Sequence, residues 1–281
     1  MYRVCAVLVV VVLAGCAGMG ADTAERGDGP SETVTPVPVP DDDRGAVGST
    51  GIDGDGVSDP AALARAHDER LSEQSYRLVS NQTVRYGNGS VKSQYRTDLR
   101  LDEERTYFVT ARTDGPDGPL LLGETPASAA FWSDGDTYVR AFGGSEPVYN
   151  EFEPSPSGVG TWRFWSSTGA FDGLQSPRGV IEATFDAVPT RIDRTRTIGG
   201  VERHRVTDAG HSDVDLPFPE ADPARDVSLV AEIDRTGLVR HLELEYVGRV
   251  DGERVTVTRS VSYSEVGTTD VPRPEWYDEA V

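Results

Sequence analysis

Apolar and polar residues alternate along most of the chain after residue 75, and turn residues break the pattern at regular intervals. The first such run begins at Tyr76 and ends at Gly87-Asn88-Gly89. The predicted strands cover 76–86, 91–101, 106–113, 138–142, 148–152, 190–198, 201–208, 227–235, 238–248, 246–250 and 253–265, and Phe131-Trp132 leads into the turn at 133–136. Short strands at this spacing predict an antiparallel meander, and Asp251-Gly252 is a preferred sequence for a tight hairpin turn.

One amphipathic helix precedes the strands. Asp59-Pro60 places an N-cap residue before the proline that is favoured at the first helical position. A stripe at i, i+4 and i+8 then runs from Leu63 to Leu71. This pattern predicts a helix over 60–75, with His67 on its stripe as a core or half-buried histidine.

Residues 154–188 separate two meanders. They are rich in aromatic residues but show no period of two. We interpret this stretch as a loop with one or two short helices. The predicted order is therefore a helix, a long meander, a helical interruption and a second meander.

The N-terminus has the pattern of a targeting signal. Arg3 is the only charged residue before Asp22, and Val4–Ala14 is an uninterrupted apolar run. This run is too short to cross a bilayer of about 30 Å and is typical of a signal peptide. It ends in Leu13-Ala14-Gly15-Cys16, which resembles a lipobox, so we expect cleavage after residue 15 and a lipid on Cys16. An ordinary cleaved signal with a chance cysteine is the alternative.

The segment after Cys16 has the composition of a linker. Residues 17–58 contain nine Gly and four Pro, no aromatic residue, and nine acidic residues against two Arg. Such a segment cannot bury enough apolar surface to offset the entropy of ordering. We therefore predict a signal peptide over 1–15, a lipidated and disordered acidic tether over 16–58, and one domain over 59–281. A calcium loop at 53–59 is disfavoured because Val57 takes a ligand position.

The charge balance limits the partners of the chain. Its 47 acidic and 27 basic residues give a net charge of -20, and Lys92 is the only lysine. Such an excess of acid disfavours nucleic acid, whose binding depends on neutralising phosphates, and anionic lipid headgroups. An acidic surface with almost no lysine is typical of proteins adapted to molar salt, where the charge repulsion is screened. An acidic protein from a GC-rich genome is the alternative.

Candidate chemistry is sparse. The four histidines, His67, His204, His211 and His241, lack the spacing of zinc ligands. The sequence holds no nucleophile elbow, phosphate loop or dinucleotide fingerprint. Carboxylate pairs are expected throughout a chain this acidic, so they carry no glycosidase signal. We therefore predict no catalytic residues, no cofactor and no metal, with a hydrolase of an unrecognised type as the alternative.

Two sequons are candidates for N-glycosylation. Asn81 precedes Gln82-Thr83, and Asn88 precedes Gly89-Ser90. Asn88 lies at the predicted tip of the first hairpin and is the favoured candidate, whereas Asn81 lies in the middle of a strand.

Several short motifs in a fixed order carry a resemblance to known proteins. They are the lipobox at 13–16, Gly56–Asp59, Ala66-His67, Ser75-Tyr76, Phe131–Arg140, Asp234–Gly237, Tyr246 and Pro274–Trp276. Together they resemble a family of haloarchaeal lipoproteins and, more broadly, the LolA/LppX superfamily of half-barrels. The resemblance implies a mainly β (α+β) fold, in which one strongly curved antiparallel sheet wraps around helices and leaves an apolar cavity. It implies no catalytic activity.

These observations predict a monomeric extracellular lipoprotein, anchored to the outer face of the cell membrane through Cys16. Its half-barrel is expected to carry a lipid or another apolar ligand. The residues expected to line the cavity are Trp162, Phe164, Trp165, Phe171, Leu174 and Phe185. In the alternative interpretation these aromatic side chains fill the barrel as core, and the chain is a structural or interaction lipoprotein of the cell envelope without a ligand.

Overall fold

The computed structural model describes residues 50–119, 122–143, 146–154, 158, 160–161, 177–210, 213–221 and 224–281. Three α-helices lie within these ranges: α1 (Pro60–Ser72), α2 (Pro177–Ala187) and α3 (Tyr277–Ala280). The strands of the first meander are β1 (Tyr76–Tyr86), β2 (Val91–Leu101), β3 (Tyr107–Asp114), β4 (Ala127–Ser133), β5 (Tyr138–Phe142) and β6 (Val148–Phe152). Those of the second are β7 (Thr190–Ile198), β8 (Val201–Asp208), β9 (Asp213–Val214), β10 (Ala224–Asp234), β11 (Val239–Val250) and β12 (Glu253–Ser264). A 3₁₀ turn covers Pro219–Ala221.

All of these strands form one antiparallel sheet. Its order is β6-β5-β4-β3-β2-β1-β12-β11-β10-β8-β7, and β9 pairs with β10. The two meanders join where β1 pairs with β12, which brings Arg77 opposite Ser264. The predicted fold class is confirmed, because the chain is mainly β and forms a single open, curved sheet with few helices. We call the sheet face under α1 and α2 the concave face and the opposite face the convex face.

Helix α1 ends three residues earlier than the stripe predicts. Asp59 caps its start, since a side-chain oxygen accepts a hydrogen bond from the amide of Ala62 at 2.9 Å. At the other end, the guanidinium of Arg105 donates to the main-chain oxygens of Ser72 and, at 3.2 Å, of Gln74. This arginine satisfies carbonyl groups that a continuing helix would have used, so the helix ends there.

Residues 55–57, which lie within the predicted tether, contact β7. The main-chain amide of Ile192 donates to the oxygen of Asp55 at 2.9 Å. The amide of Val57 donates to the hydroxyl of Thr190 at 3.0 Å. Gly56 lies so close to β7 that a Cβ there would come within 2.6 Å of the Thr190 oxygen. These contacts hold residues 55–57 against β7, whereas residues 16–49 of the predicted tether lie outside the described residues.

Two groups of buried apolar side chains occupy the concave face. The first core joins α1 and α2 to the second meander and includes Leu63, Ile181, Phe185, Val206, Leu229, Ile233, Leu244 and Val257. The second core lies over the first meander and includes Leu71, Leu78, Leu99, Tyr107, Val109, Phe131 and Tyr138. A smaller third cluster lies on the convex face, where the C-terminal segment covers Trp132 and Val139.

Candidate functional site: the concave face of the sheet

The part of the concave face under α2 is packed as core. Val180 and Thr184 of α2 lie over Leu242 and Leu244 of β11. The cavity between them has a volume of about 10 Å³, which is room for about one water molecule. Phe185, the predicted cavity residue in this region, is 3% exposed and belongs to the first core. Between α2 and β11, the described residues therefore leave room for no more than about one water molecule.

His67 joins α1 to this core as the stripe predicted. Its ring is 2% exposed and meets the ring of Tyr263 edge to face, with 4.7 Å between the ring centroids. Nδ1 accepts a hydrogen bond from the main-chain amide of Val239 at 3.2 Å. Burial lowers the pKa of His67 to about 3, against a smaller opposing effect of the Asp234 carboxylate. The histidine is therefore a neutral core residue, unsuited to proton transfer near neutral pH.

A half-buried ion pair closes one end of the first core. Nη2 of Arg259 lies 3.1 Å from Oε2 of Glu220. Nε2 of Gln82 donates to the other carboxylate oxygen of Glu220 at 3.1 Å. The Arg259 guanidinium also lies over the ring of Phe218, 4.1 Å from its centroid. Burial raises the pKa of the neighbouring Tyr246 to about 12. These contacts fasten the 3₁₀ turn onto β12 and β1.

Over the first meander, the concave face carries rows of side chains that differ in size. One row of side chains across β1–β4 is large and apolar: Leu78, Leu99, Val109 and Phe131. The next row across the same strands is small: Ser80, Thr97, Ala111 and Ala129. Among the described helical residues only Leu71 belongs to the second core. We call this small row the trough. Its four side chains are all buried, with exposed fractions of 1–6%, and they lie over the half of the face where no described residue of α2 belongs to the core.

Two hydroxyl groups in and beside this trough are buried with no hydrogen-bond partner among the described residues. Thr97 is 1% exposed, and Thr113, in the adjacent row, is fully buried. Their Oγ1 atoms have no hydrogen-bond partner in the part of the chain that the structure describes. A buried hydroxyl that lacks a partner is costly, so these two atoms, unlike the hydroxyl of Ser80 in the same row, are polar groups available to a ligand.

The chain after β6 returns to this half of the concave face. The hydroxyl of Tyr107 donates to the main-chain oxygen of Gly160 at 2.8 Å. Gly160 has a positive φ and lies flat against Tyr138, where a Cβ would come within 2.9 Å of the ring. The loop therefore meets the second core immediately before the predicted aromatic cluster. Of that cluster, Trp162, Phe164, Trp165, Phe171 and Leu174 lie outside the described residues, as does Cys16.

The sequons occupy different environments. Asn88 is exposed in the β1–β2 turn, where its side-chain oxygen accepts hydrogen bonds from the amide of Ser90 at 3.0 Å and from its hydroxyl at 2.7 Å. Asn81 lies within β1, and its side chain bonds to Thr83 and Gln94. The exposed turn makes Asn88 the accessible acceptor, as its place in the sequence predicted. Glycosylation itself stays a prediction.

Sequence reasoning missed the pairing of Glu220 with Arg259 and the trough. No local signal identifies either one, because each joins residues that lie far apart in the chain. Within the described ranges, no group of three or more His, Cys, Asp or Glu side chains is placed to hold a metal ion. Nor does any described helix have the length and apolar character that crossing a membrane requires.

Several solved structures are similar to the chain at low sequence identity. The chain is similar to LprF from Mycobacterium bovis, with 11% identity, a TM-score of 0.36, and coverage of 77% of this chain and 96% of that one. It is also similar to a LolA superfamily protein from Nitrosomonas europaea, with 10% identity, a TM-score of 0.24, and coverage of 76% and 95%. A third similarity is to the Pseudomonas aeruginosa MucA/MucB complex, with 12% identity, a TM-score of 0.27, and coverage of 77% and 59%.

No curated protein matches the chain. A family model does, and it spans residues 2–280. Its description is "Family of unknown function (DUF7537)". Because the match covers nearly the whole sequence, the chain belongs to the DUF7537 family.

Proposed function

We propose that the chain is a salt-adapted lipoprotein, of the haloarchaeal type, held at the outer face of the cell membrane by a lipid on Cys16. Its concave face over β1–β4 binds a lipid or another apolar ligand. The observation that carries the proposal is the trough of small side chains beside a row of large ones. A ligand chain of methylene groups fits such a trough, and its burial is favourable in proportion to the apolar area removed from water.

The two unpartnered hydroxyls add selectivity to this apolar surface. Thr97 and Thr113 present Oγ1 atoms that nothing in the described part of the chain satisfies. An ester or hydroxyl group of a lipid would pair with them, whereas a plain hydrocarbon would leave them unpaired. The proposal therefore favours a ligand with an apolar chain and a small polar group near one end.

The predicted aromatic cluster supplies the opposite wall of this site in the proposal. Tyr107 and Tyr138 hold Gly160 against the second core, and Trp162 follows two residues later. Aromatic side chains offer large apolar area in few rotatable bonds. In the proposed site they face the trough, with the ligand between them.

The test combines ligand recovery with a dye-binding comparison. Native mass spectrometry of protein purified from its own host is expected to show a bound lipid. Nile red is expected to bind the native protein, and Trp165→Ala is expected to weaken that binding more than it lowers stability. Trp276→Ala is the matched control, because Trp276 stacks on Tyr149, with 5.6 Å between the ring centroids, in the cluster of the convex face.

A second candidate function is favoured by the packing under α2, where the cavity measures about 10 Å³. If the whole concave face is filled in this way, the protein is a structural or interaction lipoprotein without a ligand. No dye binding, no recovered lipid, and a loss of about 3–5 kcal/mol in Trp165→Ala would reject the carrier in favour of this alternative.

A further inference from the structure

A groove runs across the convex face, on the side of the sheet opposite the proposed lipid site. It crosses β2–β5 and has a volume of about 360 Å³, within the range of sites for small molecules. Its floor is made of small side chains, because Thr110, Ala130 and Ala141 lie opposite one another on successive strands. The neighbouring row of the convex face includes Trp132 and is covered by the C-terminal segment. The groove lies beside that segment and is not covered by it.

Two arginines line one side of this groove. Arg96 of β2 and Arg112 of β3 are paired directly across the two strands, so their side chains project from the same face. Both are exposed, and neither has a hydrogen bond or ion pair within the described ranges. Like charges at directly opposite positions destabilise a sheet. In a chain with 47 acidic residues, this pair of positive charges is left uncompensated.

The acidic residue of the groove is already neutralised. Oδ1 and Oδ2 of Asp98 accept hydrogen bonds from Nε and Nη2 of Arg77 at 2.9 and 2.6 Å. The hydroxyl of Ser128 is also engaged, since it donates to the main-chain oxygen of Gly143 at 2.5 Å. The charged groups left to meet a ligand are therefore the two guanidinium groups of Arg96 and Arg112.

The opposed arginines of the β7–β8 hairpin do not offer the same site. On the β7–β8 hairpin, Arg194 lies opposite Arg205, and Arg196 lies opposite Arg203. The hollow there has a volume of only about 10 Å³, and Arg205 already approaches Asp193 at 3.6 Å. The convex groove thus combines an opposed arginine pair with room for a ligand.

We infer that the convex groove binds the phosphate group of a small organic molecule, held between Arg96 and Arg112. Guanidinium groups bind phosphate through paired N–H donors. Two of them match the two negative charges of a phosphate monoester, whereas one would suffice for a carboxylate. The small floor residues leave room for the organic part of the ligand. The net charge of -20 repels anions from the molecule as a whole, so an anion that binds needs a local pair of cations such as this one.

Calorimetric titration of glycerol 3-phosphate into the full chain in detergent tests this inference. Ionic strength is held constant, at the lowest salt concentration at which circular dichroism shows the native fold, because screening weakens exposed charge pairs. We expect saturable binding that Arg96→Gln and Arg112→Gln each weaken, and that the double variant weakens at least tenfold. Arg100→Gln is the matched control, since Arg100 is an exposed arginine on β2, paired with Phe108 outside the groove lining, and its variant is expected to bind as the wild type does.

Two further arms identify the ligand. Acetate at the same ionic strength is expected to bind at least tenfold more weakly than glycerol 3-phosphate. Micelles doped with phosphatidic acid either displace glycerol 3-phosphate, which makes a lipid headgroup the source of the phosphate, or leave it bound, which makes the source a free phosphate ester. Absence of saturable binding, equal binding by the double variant, or equal binding of acetate would overturn the inference. None of these results bears on the lipid site, which lies on the other face.

Discussion

The main-chain amide of Val239 donates a hydrogen bond to Nδ1 of His67, across 3.2 Å. This contact joins α1 to the start of β11 inside the concave face. It requires a histidine whose Nδ1 carries a lone pair, which is the case only for the neutral ring. Burial also favours the neutral ring, since it lowers the pKa of His67 to about 3.

The free energy of unfolding is expected to decrease as the pH is lowered, because of His67. In the unfolded chain the histidine has its ordinary pKa of 6.5, so between pH 6.5 and pH 3 the unfolded state binds a proton that the folded state excludes. The free energy of unfolding should therefore decrease by about 1.4 kcal/mol for each pH unit below 6.5. Urea denaturation at pH 7 and pH 5.5, at constant salt, measures this dependence.

His67→Gln is the control for that experiment. Glutamine keeps a side-chain oxygen that can accept from Val239 but does not titrate. The variant is expected to be less stable at pH 7 and to lose less stability than the wild type on acidification. Equal losses in the two proteins would contradict the assignment to His67.

The pair of Glu220 and Arg259 is expected to stabilise the domain because it is largely shielded from water. Their side chains are 20% and 12% exposed. Arg259→Met removes the cation and leaves a half-buried carboxylate with Gln82 as its remaining side-chain partner, so we expect a loss of about 2–4 kcal/mol. Denaturant unfolding of the variant provides the measurement.

The exposed pair of Arg254 and Asp226 is the matched comparison for Arg259. Its atoms are 3.7 Å apart, and both side chains are 69% exposed. Arg254→Met should change the free energy of unfolding by no more than about 0.5 kcal/mol. If both substitutions had the same small effect, burial would not be the reason for the strength of the inner pair.

Salt is expected to stabilise the domain by screening its acidic surface. Residues 59–281 carry 38 acidic and 24 basic residues, a net charge of -14. The screening length is roughly 3 Å at 1 M salt and about 30 Å at 0.01 M, so repulsion grows as salt is removed. We expect the melting temperature to fall between 2 M and 0.05 M NaCl. Sucrose is the control, because it strengthens apolar burial without screening charge. An unchanged melting temperature, or full rescue by sucrose, would argue against salt adaptation.

Membrane attachment is expected to depend on Cys16. Cys16→Ser removes the thiol that the lipid would modify, so the variant should leave the membrane fraction or accumulate unprocessed. Fractionation and intact-mass measurement distinguish the two results. Cys5→Ser is the control, since Cys5 lies within the apolar run and its loss should leave partition unchanged. Wild-type partition of Cys16→Ser would reject the lipid anchor.

Local signals were enough to locate most of the elements. The predicted strands over 76–86, 91–101, 138–142, 148–152, 190–198 and 201–208 have the bounds seen in the structure. Alternation and turn residues act within a few positions of one another, so they can be read from the chain directly. Asp59 likewise identified the start of α1. The end of α1 was missed because Arg105, which caps it, comes after the second strand.

By itself, the sequence determined that this is an acidic, mainly β chain with a helix before two meanders, because periodicity, turn residues and composition are local properties. Only the tertiary structure decided that β1 pairs with β12, that Arg259 meets Glu220, and that Arg96 and Arg112 share an open groove. Each of these depends on which strands become neighbours and in which register. Strand register is set by long-range packing, and no short stretch of the chain encodes it.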